Sequence, residues 1–401
     1  MVNSKTESTS TPVVDFSNTE IAFSHKSNGE LRRTAWLFRL MNKQWLVNAG
    51  SNVGLWLNHT GINMFNPLIR ATIFRQFCGG TSLENAVEAI GHLWDRKTGS
   101  VLDYGAEAKT KEEDFDATLQ ENIRAINFAS MHEGIPVISS KVTALAADEI
   151  LEKYQSGNPL TSEEQKAYDR IEKRIDTLCR TAWEKGIIVF IDAEETWLQD
   201  TIDALCKKMM ARYNRERVVV YHTYQLYRKD KLQSLKDDYA EAKSNGYILG
   251  AKLVRGAYME KERRRAVEMG YPSPIQDTRE DTDRDYDDAV RFCVEHYQDM
   301  ASCNASHNLK SNLLQAELIA QKGLPRNHPN LNFCQLYGMS DYITFNLAEA
   351  GYNVAKYVVY GAVKEVVPYL IRRAKENTSV TGEMSRELSL ITAEIRRRGL
   401  K

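Results

Sequence analysis

Lys141 ends the apolar run that leads into Ser139-Ser140-Lys141-Val142-Thr143. A lysine in that position keeps its charge through an anionic partner or loses it by desolvation, so it is an anion ligand, a Schiff-base nucleophile, or a rim residue whose head reaches water. A second group lies near the carboxyl terminus. Tyr369, Arg372, Arg373 and Glu376 fall at i, i+3, i+4 and i+7 of a helical pattern from Ala362 to Asn377, which puts a phenol, two guanidiniums and a carboxylate on one face. That face is either solvated, with an internal Arg to Glu pair, or a carboxylate clamp, because guanidinium donors match a carboxylate bidentately. Other apolar runs also end in polar groups: Asp103 and Glu107, Asp192 and Glu194, Gln225, Lys252 and Arg255, His307 and Asn308, Gln335, and Tyr357. One such residue merely finishes a strand; their repetition points to a shared site.

The elements that must position these groups are strands alternating with helices. Eight short runs qualify as strands: Val101 to Glu107, Pro136 to Lys141, Gly186 to Asp192, Val218 to Tyr224, Ile248 to Arg255, Ser302 to His307, Leu331 to Leu336 and Val354 to Tyr360. Charged amphipathic segments separate them, which implies a parallel sheet and, with eight strands, a closed barrel. In such a barrel the working groups sit at the carboxyl ends of the strands. The charged stretch from Glu149 to Lys185 reads as two helices broken at Gly157 to Pro159, the second capped by Thr161 or Ser162.

The chain divides into a disordered tail over 1–28, a helical segment over 29–95 and the barrel over 96–401. The tail is expected because Met1 to Asn28 is rich in Ser, Thr and Asn and resembles neither a secretory signal nor an Arg-rich transit peptide. From Glu30 to about Leu68, Trp36, Leu37, Leu40, Met41 and Trp45 share a helical face. This helix either clamps the barrel or, with Trp56 and the nearby Arg32, Arg33 and Arg39, rests on lipid. The 401 residues carry 53 basic and 54 acidic side chains, which leaves no basic footprint for nucleic acid. The 6 cysteines show no CxxC spacing and read as reduced core thiols. No apolar run is long enough to cross a bilayer. No GxGxxG follows a strand, and GxxxxGK[ST], HExxH and GxSxG are absent, which disfavours a Rossmann site, a P-loop, a zincin and a serine hydrolase.

Five motifs in order then carry a resemblance: Ile191-Asp192-Ala193-Glu194, Gly250-Ala251-Lys252-Leu253-Val254-Arg255-Gly256-Ala257-Tyr258, Ser306-His307-Asn308, Gln335-Leu336-Tyr337-Gly338-Met339, and Tyr369-Leu370-Ile371-Arg372-Arg373-Ala374-Lys375-Glu376-Asn377. Over about Ile69 to Asn377 the chain resembles the proline dehydrogenase family. The resemblance implies a distorted TIM-type (β/α)8 barrel with N-terminal helices and a last helix over the barrel mouth. It also implies non-covalent FAD, oxidation of L-proline to Δ1-pyrroline-5-carboxylate with hydride transfer to flavin N5, and electrons passed to a membrane quinone. A separate pyrroline-5-carboxylate dehydrogenase would take the product. Motif by motif, Lys141, Arg372 and Arg373 would hold the proline carboxylate, with Glu107 closing over the arginines, and Leu336, Tyr357 and Tyr369 would pack around the ring. Asp192, Ala193, Gln225, Lys252, Arg255, Gly256, Ala257, Tyr258, Ser306, His307, Asn308 and Glu376 would line the flavin. Lys252 matches the cation placed beside N5, and Val359 stands where many members carry proline. The expected location is cytoplasmic, with peripheral contact at the inner face of a bacterial membrane. Two other functions compete: a barrel aldolase or lyase using Lys141 as Schiff-base nucleophile, and a membrane-associated binding module on a degenerate barrel.

Overall fold

All eight expected runs become strands of one parallel sheet. The structure is a computed structural model that describes residues 13–43, 70–105, 109–379 and 383–400. Trp45, Trp56, Glu107 and the Glu376 side chain lie outside the described residues. In chain order the strands are β1 (Cys78–Gly80), β2 (Gly99–Tyr104), β3 (Val137–Lys141), β4 (Ile188–Asp192), β5 (Val220–Gln225), β6 (Leu249–Val254), β7 (Met300–Ala305), β8 (Leu331–Leu336) and β9 (Val354–Tyr360). From β2 onward each pairs with the next, and β9 pairs with both β8 and β2, which closes an eight-stranded barrel with helices in the connections.

The period of two along each strand separates two cores. Leu102, Ile138, Val189, Ile191, Val220, Ala251, Leu253 and Val358 join the helix-packed cluster. Val101, Val137, Phe190, Tyr221, Cys303 and Tyr357 belong to the other. Lys252 on β6 lies over the rings of Phe190 on β4 and Tyr357 on β9. Those strands are not all neighbours, so the contacts run through the barrel interior, and the second set forms its apolar floor.

The short β1 falls where only helix was expected, because Cys78-Gly79-Gly80 shows no alternation to read. Its cause is tertiary. The β8 pairing with β9 ends at Leu336 opposite Tyr357, and β1 takes over the same edge by pairing with Val359 and Tyr360. The turn after β8 meets the chain entering β1 so closely that a Cβ on Gly338 (φ +77°) would lie 1.8 Å from the Gln76 carbonyl oxygen. Only glycine tolerates both that approach and that φ.

Residues 13–28 correct the expectation of a disordered tail over their length. Thr19–Phe23 is a helix capped by Asn18, and Val14, Phe16, Ala22 and Phe23 are buried. The Ser and Asn content that suggested disorder serves here as helix caps, since Ser27 and Glu30 form a capping box on the next helix, Asn28–Met41. In that helix Leu37 and Met41 are buried, but Trp36 is exposed. The two helices between β3 and β4 are Asp148–Gln155 and Ser162–Lys185, the second capped by Thr161 in a box with Glu164.

Outside the barrel wall, buried His222 on β5 lies 2.7 Å from Asp203 and 3.6 Å from Asp238, and Lys231 also binds Asp203. Burial opposes the imidazolium, but Asp203 outweighs it and the His222 pKa rises. A raised folded pKa adds stability that is full below the unfolded value of about 6.5 and is lost as pH climbs through the folded one. His222→Asn should therefore cost about 3 to 5 kcal/mol near pH 6, with a smaller deficit at alkaline pH. Denaturant unfolding of both proteins across that range checks this; a deficit that grows with pH would refute it.

Candidate active site

Asp192 ends β4 with its side chain inward, two residues beyond Phe190, and opposite Lys141 in the β3 ladder. One of its oxygens accepts from Lys252 at 2.5 Å and from the Ser139 hydroxyl at 2.8 Å. The other accepts from the Tyr357 hydroxyl at 2.7 Å and from Lys141 at 3.4 Å. Lys141 also lies 3.3 Å from Asp103 on β2. Burial alone would raise the Asp192 carboxyl, but the ammonium groups of Lys252 and Lys141 hold it well below the usual carboxylate range. Burial, followed by the charges of Asp103 and Asp192, drives the Tyr357 phenol far up, so it stays a donor. Side chains from β2, β3, β4, β6 and β9 thus meet in one buried ionic group.

Beside it, Glu194 is pushed up to about 8, first by burial. Its carboxyl contacts the Tyr258 hydroxyl at 2.6 Å and the Thr143 hydroxyl at 2.9 Å. Gln225 donates to the Glu194 carbonyl at 2.7 Å and to the Tyr227 hydroxyl at 3.0 Å, while its own carbonyl oxygen is buried with no hydrogen-bond partner among the described residues. Ala193 and Gly256 are half-buried at the rim and Ala257 is exposed.

At the ends of β6 and β7, Arg255 spends its fork on the protein itself. Nε reaches Asp283 at 2.9 Å, the two terminal nitrogens reach Ser306 and Ser311 at 2.8 Å each, and the plane lies 3.8 Å from the Tyr286 ring centre. Asn308 caps the helix Leu309–Gln321 by accepting from Lys310 and Ser311. His307 places Nδ1 2.9 Å from the Ser340 hydroxyl, and burial, then the charges of Lys356 and Arg373, press its pKa down to about 3. It is a neutral imidazole.

The last helix before the carboxyl-terminal one, Val363–Ser379, reaches this mouth. Its first turn is tied down by Glu365, which accepts from the Tyr104 hydroxyl at 2.9 Å and from Lys109 at 3.4 Å. Tyr369 is buried, with the Arg373 guanidinium 5.3 Å from its ring centre. Arg372 adds its charge to the surroundings of Tyr258 as Arg373 does to those of His307. Leu336, at the end of β8, is half-buried.

The structure therefore gathers Lys141, Asp192, Lys252 and Tyr357 through direct contacts, and brings Gln225, Tyr258, Ser306, His307, Arg372 and Arg373 to the same end of the barrel. Asn308 and Arg255 act first as structural ties. Sequence reasoning marked Asp103 and Glu194 as polar strand ends without giving them a site role, and it gave none to Ser139, Phe190 or Thr143. Parity would have found Ser139 and Phe190, each two residues before a selected inward residue; Thr143 and Glu194 lie past their strand ends, where parity no longer holds.

With this geometry in place, the chain compares with known proteins as follows. The family model for proline dehydrogenase matches residues 86–386. A Drosophila melanogaster protein, proline dehydrogenase 1, mitochondrial, is 36% identical over 245 residues, which cover 59% of this chain and 36% of that protein. The Arabidopsis thaliana protein of the same name is 31% identical over 377 residues, covering 82% of this chain and 75% of that one. Among solved structures, proline utilization A (PutA) from Bdellovibrio bacteriovorus, inactivated by N-propargylglycine, superposes with a TM-score of 0.70 at 21% identity, over 92% of this chain and 37% of that one. The chain thus spans little more than a third of the fly protein and of that structure. A family match over most of the length, on a closed barrel whose polar strand ends converge, makes this chain a member of the proline dehydrogenase family.

Proposed function

We propose that the chain oxidises L-proline to Δ1-pyrroline-5-carboxylate with a non-covalently held FAD. The observation that carries this reading is the buried Lys141–Asp192–Lys252–Tyr357 group under a helix that brings two arginines to the same mouth. The residues present fit a flavin. Among the described residues Gln225 leaves a buried acceptor without a donor, as a polar ring system above the strands would supply. Asp192, Ala193, Gln225, Lys252, Arg255 to Tyr258, Ser306 to Asn308 and Glu376 would hold it. Bound there, FAD would accept the hydride removed from proline C5.

The donors at the mouth suit a carboxylate substrate. Lys141 and Lys252 are balanced by Asp103 and Asp192, and Glu194, pushed up to about 8, is largely protonated at neutral pH. The guanidinium forks of Arg372 and Arg373 suit the proline carboxylate, with Lys141 as a third ligand, and Glu107 would close over the arginines. Leu336, Tyr357 and Tyr369 would wall the ring. Asp192 is too acidic to serve as a base near neutrality, so its part is to fix both lysines and the Tyr357 phenol. The same ion pairs speak against the Schiff-base alternative, which needs a neutral Lys141 amine.

Among the described residues no helix is long and apolar enough to cross a membrane. The exposed Trp36 supports reversible contact with a membrane holding a quinone acceptor, at the inner face if the chain is cytoplasmic. The two relatives named above are called mitochondrial, so that address is the alternative. The product would pass to a separate pyrroline-5-carboxylate dehydrogenase.

The deciding experiment is whether the purified chain is yellow and is bleached by L-proline; a colourless protein trapped by borohydride on a carbonyl substrate would sink the reading. Given bleaching, Arg372→Met and Arg373→Met should each lower kcat/KM for proline about 30-fold to several thousand-fold, from the roughly 2 to 5 kcal/mol lost with one partner of a buried charge contact. FAD content should change little. Normal turnover by both variants would remove the Val363–Ser379 helix from the substrate site.

Tyr357 sets the substrate preference in this reading. Its ring leaves little room for a 4-hydroxyl, and an apolar wall rejects an added hydroxyl by about 100-fold. Tyr357→Ser should raise KM for proline and narrow or reverse the kcat/KM ratio of proline to trans-4-hydroxy-L-proline. An unchanged ratio in a folded, FAD-loaded variant would take Tyr357 out of the substrate shell.

A further inference from the structure

The corner that follows β8 is held by a cap that comes from elsewhere in the chain. Ser340 occupies the N-cap position of the helix Asp341–Glu349, in the left-handed region at φ 52°. A serine at that position ordinarily turns its hydroxyl back onto the helix's free N–H groups. Here it does not: its hydroxyl faces His307 Nδ1 at 2.9 Å. The two backbone donors at this turn, the amides of Ser340 and Asp341, instead bind the buried carboxylate of Glu387 at 2.8 and 3.2 Å. Glu387 stands on the carboxyl-terminal helix Glu383–Arg397, 46 and 47 residues further along the chain.

The rest of the corner is locked by charge. Asp341 pairs with Lys356 of β9 at 2.9 Å, with Lys26 at 3.1 Å and with His25 at 3.4 Å. Lys356 also donates to the carbonyl of Leu336 at 3.4 Å. Left-handed backbone at a non-glycine residue persists only where its surroundings over-determine it. The carboxylate of Glu387 supplies that determination, and the geometry it enforces is the one in which the Ser340 hydroxyl is released to His307.

We infer that Glu387 is a positioning residue for the flavin site: by capping the Ser340–Asp341 turn it frees the Ser340 hydroxyl to fix the His307 ring, and it holds the end of β8 that carries Leu336. This rests on the flavin reading above. Burial, then the neighbouring Asp341, pushes the Glu387 carboxyl up to about 7, with Lys356 opposing. A neutral side chain at this position cannot accept from both amides with full strength, so Glu387→Gln mimics the weakened cap.

The test titrates FAD into the full-length apoprotein of the wild type, Glu387→Gln, Ser340→Ala and the double variant, alongside apoprotein melting and proline kinetics. Glu387→Gln and Ser340→Ala should each weaken FAD binding about tenfold or more. Ser340→Ala should do so with little change in apoprotein Tm, because the backbone cap remains. Both act along one chain of contacts, so the double variant should lose no more affinity than the worse single one. Wild-type FAD affinity in Ser340→Ala, or in a folded Glu387→Gln, overturns the inference, as do additive losses in the double variant. If Glu387→Gln fails to fold, Ser340→Ala alone decides. A wild-type chain that binds no FAD defeats the flavin reading itself, an outcome separate from all of these.

Discussion

The site depends on one carboxylate. Asp192 accepts from two ammonium groups and two hydroxyls on three other strands, and its low pKa is the sum of those contacts set against burial. Taking two lysines out of water is costly unless opposite charge and hydrogen bonds meet them at short range. The register β3 to β4 puts Lys141 beside Asp192, and barrel closure brings Lys252 and Tyr357 from across the interior. A strand slipped by one residue would turn Asp192 into the helix-packed apolar layer. The polar group therefore specifies the barrel's register as much as the apolar floor beneath it does.

Around that centre the structure divides its cations by task. Arg255 is fully engaged with Asp283, Ser306, Ser311 and the face of Tyr286, and so fixes the ends of β6 and β7 to each other. Lys356 is turned outward to Asp341, although its neighbour Tyr357 points into the mouth. Alternation on β9 thus uses adjacent residues for separate buried charge networks on the two sides of one strand.

Much of this was legible in the sequence because local pattern and tertiary role agree there. Most of the eight strand runs have apolar cores with polar carboxyl ends, Ser302 to His307 being the weakest, and the capping box at Thr161 is a purely local signal. What stayed hidden depends on distant partners. Nothing in Cys78-Gly79-Gly80 announces a strand until the unpaired edge of β9 is present. Nothing in Glu387 distinguishes it from the other acids of its amphipathic helix until the Ser340 turn faces it. Asp103 was visible as a polar strand end, but its place in the site follows from Lys141 lying 3.3 Å away. The tail misled because Ser and Asn serve equally as solvated coil and as helix caps, and only the burial of Phe16 and Phe23 decides between them.

The three-residue strand β1 has a bearing on how the molecule is bounded. The family match begins at residue 86, after β1, yet Val359 and Tyr360 depend on β1 for hydrogen bonding along the edge that β8 leaves. A fragment cut at the start of the match would keep every repeat of the barrel and still present a short open margin of apolar sheet at the end where the site lies. Such margins recruit strands from other molecules. The preceding segment thus serves as edge protection, shielding the seam beside the mouth from self-association.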